Sequence, residues 1–191
     1  MTARAGLFSE GKQFFDRYIE ECGVNCEVVS PQVVATPFYR GRFSALIIPT
    51  GFANPKYSSL LPALRASSPR LERFVEAGGN LLVFGAGADK PNAYDWLPFA
   101  VTYVHGYADY CLELTETSAH STIAGDYDPT CIPCDGFFPY SEATVLATAE
   151  GKPVLLERTI GSGTILVTSI HEYPSRGFVG KFCSSGSETL F

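Results

Sequence analysis

The chain has 191 residues, a formal net charge of −6, 46% hydrophobic and 18% charged residues. That length fits one domain able to build its own core. An acidic chain with scattered Lys and Arg excludes the basic footprint of a nucleic-acid binder and of an anionic membrane-surface binder. No run reaches the ~18 apolar residues of a membrane span. The opening Met1-Thr2-Ala3-Arg4 lacks the apolar stretch and cleavage site of a signal peptide, so a cytoplasmic location is expected. The six cysteines are then expected as reduced thiols.

In chain order, residues 4–8 read as a first strand. Residues 11–22 place Phe14, Phe15, Tyr18 and Ile19 at helical spacing, and Gly23 stops that helix. Residues 26–29 read as a strand, 31–42 as irregular chain with Pro37 and Gly41 as breakers, and 44–48 as a buried strand ending at Pro49-Thr50-Gly51. Residues 54–68 read as a loop and helix. Ser68 as N-cap and Pro69 as first helical residue then open a separate helix that closes at Gly78-Gly79. The apolar run 80–84, bracketed by glycines, reads as a central strand of a parallel sheet, whose C-terminal end is where such sheets place their sites. Residues 91–98 form a turn region and 107–116 a strand. Residues 119–140 read as one long irregular loop. Strands follow at 143–147, 153–159 and 164–169, the last two joined through Gly161-Ser162-Gly163 as a hairpin. The Ser-rich end, 183–191, is expected to fray.

Three stretches together resemble class I glutamine amidotransferase-like domains. Residues 44–52 resemble that family's strand and oxyanion turn. Residues 73–88, RFVEAGGNLLVFGAGA, resemble its helix, glycine pair, strand and nucleophile elbow. The closing hairpin followed by His171-Glu172 is similar to the strands before its catalytic His and acid. The later half, with His120-Ser121-Thr122-Ile123, is closer to the branch of trehalose-utilisation proteins, and resembles the amidotransferase-like domains of some β-galactosidases and biotin-ligase N-terminal regions. The resemblance implies a flavodoxin-like α/β fold with a cleft between Thr50-Gly51, the segment 85–89 and His171. It speaks against the family's chemistry. The elbow commonly reads Gly-x-Cys-x-Gly, and here the cysteine position is Gly85 or, shifted by one, Ala86. Neither can form an acyl-enzyme, which needs a thiolate beside an imidazole. The family acid usually stands two residues after its His; that position is Tyr173, with Glu172 adjacent instead.

Each candidate group has a functional and a plain structural alternative. His171 could bind a ligand or act as a base with Glu172, or it could cap a strand end. Cys131-Ile132-Pro133-Cys134 has the spacing of half a zinc site, with no sharp second pair among Cys22, Cys26, Cys183 and His120, so two ordinary thiols are expected. Asp126, Asp128 and Asp135 could hold a hard cation or form a solvated acidic loop. Gly85, Ala86 and Gly87 let a ligand approach backbone N–H groups, or simply let the chain turn. Tyr103, His105, Tyr107, Asp109 and Tyr110 could line a ring pocket or form a sheet face. Phe137-Phe138-Pro139-Tyr140 could contact a partner or plug the core.

The expected fold is an α/β, flavodoxin-like three-layer sandwich with a mostly parallel sheet and a late antiparallel hairpin. A single domain over 1–182 and a flexible tail over 183–191 are expected. The expected function is a non-catalytic domain that binds a small molecule or protein partner through Thr50, Gly51, Gly85, Ala86, Gly87, His171 and Glu172. The expectation includes no cofactor, no metal and a possible homodimer. The alternative is a hydrolase of different chemistry using His171 with a carboxylate or a metal.

Overall fold

Period-two burial decides the centre of the molecule. A computed structural model describes residues 2–12, 14–116, 118–171 and 173–191. The first half holds strand β1 (Arg4–Phe8), helix α1 (Phe14–Glu21), β2 (Asn25–Val29), α2 (Pro31–Ala35), β3 (Arg42–Phe43), β4 (Ala45–Ile48), α3 (Leu60–Glu76) and β5 (Asn80–Val83). The second half holds β6 (Val101–Tyr110), β7 (Leu112–Leu114), a 3-10 turn at Ala119–Ala124, β8 (Ile132–Ser141), β9 (Thr144–Ala149), β10 (Lys152–Ile160), β11 (Gly163–Thr168), α4 (Arg176–Ser185) and β12 (Thr189–Leu190). Among the described residues the main sheet runs β2-β1-β4-β5-β11-β10-β9-β7. The stretch from β2 to β11 is parallel, and β10, β9 and β7 extend it antiparallel.

Alternate residues of the buried strands serve opposite faces. Leu46, Ile48, Leu81, Val83, Ile165 and Val167 pack with Leu64, Leu71 and Phe74 of α3. Ala45, Ile47, Leu82, Phe84 and Leu166 pack with Phe15 and Ile19 of α1 and Phe178 and Phe182 of α4. This is the three-layer α/β sandwich expected of a parallel sheet covered on both faces. Phe14, expected on the inner face of α1, is 80% exposed.

Four local expectations are corrected. Residues 31–42 are not all irregular: Pro31 opens the short helix α2. Ser68-Pro69 does not start a new helix. Pro69 lies inside the single helix α3, and Ser68 Oγ instead donates to the Trp96 carbonyl at 2.7 Å. The buried face of Leu60, Leu61, Leu64, Leu71, Phe74 and Val75 explains this. At roughly 1.5–3 kcal/mol per buried side chain it outweighs an interior proline at ~3 kcal/mol. The long loop 119–140 contains a 3-10 turn and most of strand β8, which pairs with β6 in a two-stranded ribbon. The end of the chain is packed. Cys183 is in α4, Thr189 and Leu190 pair with β3, and Phe191 is buried beside Phe8 with the Arg70 guanidinium over its ring.

No helix among the described residues is long and apolar enough to cross a membrane.

Candidate functional site

Parallel strands β4, β5 and β11 end on one edge, and their extensions carry Thr50-Gly51, Gly85-Ala86-Gly87 and Ser169-Ile170-His171. Strand β8 is laid against the last of these. Asp135 N–H donates to the Ser169 carbonyl at 2.7 Å, and His171 N–H to the Pro133 carbonyl at 2.9 Å. In this antiparallel register Asp135, Ser169 and His171 share a face.

The Asp135 carboxylate is the centre of the arrangement. Its Oδ1 lies 2.8 Å from His171 Nδ1, and its side chain is 6% exposed while that of His171 is 47% exposed. The carboxylate sits directly over Gly85. A Cβ added at Gly85 would lie 2.9 Å from both Asp135 Cβ and Asp135 Oδ2. Asp135 Oδ2 and Ser169 Oγ are buried without a hydrogen-bond partner among the described residues. On its other side the Asp135 carbonyl accepts from the Tyr103 hydroxyl at 2.8 Å and faces His105 Nδ1 at 2.9 Å.

Local sequence explains why Asp135 stands there. Gly136 has φ of +152°, and a Cβ on it would fall 2.1 Å from the Val104 carbonyl, so only glycine lets β8 approach β6 this closely. The ladder slips between His105 and Ala108, which leaves the Asp135 carbonyl to side chains rather than to backbone. Carbonyl and carboxylate oxygens only accept. Both histidines, when neutral, therefore carry their proton on Nδ1 and keep a lone pair on Nε2. The Tyr107 ring stands edge-on to His171 at 5.4 Å.

The turns after β4 and β5 are locked together. Gly51 N–H donates to the Gly85 carbonyl at 2.8 Å, and Ala53 N–H to the Ala86 carbonyl at 3.1 Å. Gly87, at φ +64°, packs so closely that a Cβ there would meet Gly51 Cα at 2.7 Å. Asn54 Nδ2 donates to the Gly87 carbonyl at 2.9 Å. The Gly51 N–H that would serve an oxyanion hole is committed to Gly85. Thr50 is exposed on the rim of a shallow hollow of about 90 Å³ with Ser9, Glu10 and Tyr57.

Of the sequence-expected residues, Gly85, Ala86, Gly87 and Gly51 therefore come together, and His171 joins them through Asp135. Glu172 lies outside the described residues. Tyr173 turns to α1, stacking on Phe15 at 4.9 Å. Cys131 and Cys134 diverge: Cys131 is exposed and Cys134 is buried in the core, where burial and the Asp135 carboxylate push its thiol up to about 12. No group of three His, Cys, Asp or Glu that could hold a metal ion occurs among the described residues. Asp126 and Asp128 have separate protein partners. Asp126 caps the Arg176 N–H, and Asp128 accepts from Thr130 N–H and Oγ1, which lowers its carboxyl below the usual value. His120 is bonded to Glu157 and packs on Phe182, tying the 3-10 turn to β10. Phe138 is a core residue and Tyr140 is exposed.

Sequence reasoning missed Asp135 as the partner of His171. The two are 36 residues apart, and Asp135 sat among prolines and glycines that read as loop. Gly136 was the available signal, as a position where a strand needs its neighbour's backbone close.

No family model matches the chain, and no curated protein does. Solved structures do. A protein from Thermoplasma acidophilum, provisionally assigned as one of the subunits of GMP synthase, superposes with a TM-score of 0.64 at 15% identity, covering 97% of this chain and 96% of that one. A cytoplasmic protein from Salmonella typhimurium LT2 gives 0.58 at 16% identity over 95% of each chain. A β-galactosidase from Bacillus circulans sp. alkalophilus gives 0.55 at 13% identity, over 96% of this chain but 30% of the enzyme. At these identities the likeness establishes the fold alone.

Proposed function

We propose that this chain is an amidotransferase-like scaffold without acyl-transfer chemistry, and that it binds a small molecule or a protein partner at the cleft over residues 85–87. One observation carries the reading. The Asp135 carboxylate fills the space that a side chain at Gly85 would need, and it spends itself on holding His171. A nucleophile cannot be accommodated there without moving Asp135. The Gly51 N–H, bonded to Gly85, supplies no oxyanion donor. What remains available is the half-exposed His171 ring, with Tyr107 beside it, as a contact group for a ligand.

Two assays test this. Glutamine should yield no ammonia above the buffer. Native mass spectrometry of the purified protein should show a retained mass that falls at least tenfold in His171→Ala. Glutamine-dependent ammonia release would overturn the loss of acyl transfer. A clean apo mass for the wild type, in every preparation and oligomer, would overturn binding at the cleft.

A second reading is favoured by the Asp135–His171 bond itself. A carboxylate on Nδ1 leaves Nε2 as a base, the arrangement used to take a proton from water or a hydroxyl. As a hydrolase, the protein would attack its substrate with water activated at His171 Nε2, without a covalent intermediate. Under this reading Asp135→Asn and His171→Ala both lower turnover of a model ester by about 10²–10⁴-fold. Under the binding reading neither variant changes that rate.

A further inference from the structure

We propose that Cys111 and Cys131 form a cross-strand disulfide site at the end of the β6–β8 ribbon. The pair was not legible as a motif, because the Cys-x-x-Cys spacing draws attention to Cys134 instead. The ladder settles the partner. Its last matched pairs are Ala108 with Cys134, Asp109 with Pro133 and Tyr110 with Ile132. Both strands end at that last pair, and one further step of the same register would set Cys111 opposite Cys131.

The hydrogen bonds specify the type of position. The Pro133 carbonyl and the Asp135 N–H point away from β6, to the His171 N–H and the Ser169 carbonyl. Cys131 N–H likewise turns away, to the Asp128 carbonyl. By alternation Ile132 and Cys134 make the bonds to β6, and Cys131 with Cys111 would take the place of a non-hydrogen-bonded pair. Such pairs bring Cα atoms to about 4.5 Å with their side chains closer than at bonded positions, within the span a disulfide bridges. A separate contact agrees: Cys111 Sγ lies 3.1 Å from the carbonyl oxygen of Thr130, the residue joined to Cys131. Both thiols are exposed and free, whereas Cys134 and Cys183 are buried. Past the pair the register slips by one residue, with Leu112 N–H donating to the Pro129 carbonyl at 2.8 Å rather than to that of Thr130, and the two chains stay in contact.

The reaction is thiol–disulfide exchange with a small disulfide such as oxidised glutathione. One cysteine thiolate attacks a glutathione sulfur, releasing one glutathione thiol and leaving a mixed disulfide. The facing thiolate then displaces the second glutathione, and the protein has lost two hydrogens. The bond closes the segment 112–130 and ties the end of the ribbon that carries Tyr103, His105 and Asp135. The inference is independent of what the cleft binds.

The test uses the intact protein equilibrated with oxidised and reduced glutathione, quenched with an alkylating agent, and read by intact mass and peptide mapping. The expected product is one internal bond joining the peptides of Cys111 and Cys131, with both lost to alkylation. In Cys111→Ser the bond is lost and Cys131 instead carries a stable glutathione adduct. Separate glutathione adducts on Cys111 and Cys131 in the wild type, or a Cys131–Cys134 bond, would overturn the proposal. So would both thiols staying free while Cys111→Ser takes up glutathione at Cys131.

Discussion

At the residue scale the arrangement turns on Gly85 having no side chain. Asp135 is held by its N–H to Ser169 and by Tyr103 on its carbonyl, so it cannot retreat cheaply from a new methyl group. Gly85→Ala should therefore destabilise the protein by about 1–3 kcal/mol, the usual cost of overpacking a filled site. Urea denaturation reads this directly, and an unchanged midpoint would mean that Asp135 does not fill the position. A second residue-scale prediction concerns buried thiols. Desolvation pushes Cys26, Cys134 and Cys183 from 9.0 up to about 12. The folded chain keeps protons that the unfolded chain has already released. Their contribution to stability is then full below about pH 9 and is lost as the pH rises towards about 12. The thermal midpoint should fall steadily from pH 9 upward, and less steeply in Cys183→Ala. A flat alkaline profile would contradict it.

At the element scale, helix α3 shows packing overruling a local stop signal. Pro69 lacks the N–H that would reach the Arg65 carbonyl, so Pro69→Ala should stabilise by about 1–3 kcal/mol, read as a higher urea midpoint. A lower midpoint would show that the proline's ring packing matters more than the missing bond. The same scale explains what was legible in the sequence. Strands β4, β5 and β11 read correctly because a short apolar run bounded by turn or polar residues has few alternatives to a strand in a covered sheet. Strand β8 did not, because it holds Pro133, Gly136 and Pro139. Each sits where the ladder tolerates it. Pro133 lies opposite His171 at the end of the short pairing with residues 169–171, Gly136 meets the Val104 carbonyl, and Pro139 falls in the register slip between Thr102 and Val104. Reading β8 as loop hid Asp135. The glycine elbow and His171 were visible in the chain, and the carboxylate that connects them was not.

At the scale of the whole molecule, the sheet changes direction at β11, where the parallel set meets its antiparallel extension. The β6–β8 ribbon stands over that junction and delivers Asp135, Tyr103 and His105 to the ends of strands whose own extensions carry Thr50-Gly51, Gly85-Ala86-Gly87 and Ser169-Ile170-His171. The fold supplies the strand ends, and the ribbon decides which side chains stand over them. The most direct measurement of this is long-range ¹H–¹⁵N NMR of the His171 ring, in the wild type and in Asp135→Ala. With Asp135 over Gly85 and bonded to the ring, neutral His171 carries its proton on Nδ1. In Asp135→Ala it reverts to the mixture of tautomers of a free imidazole. A wild-type ring protonated on Nε2, or one indifferent to the loss of Asp135, would contradict the placement of the carboxylate over Gly85 and against His171.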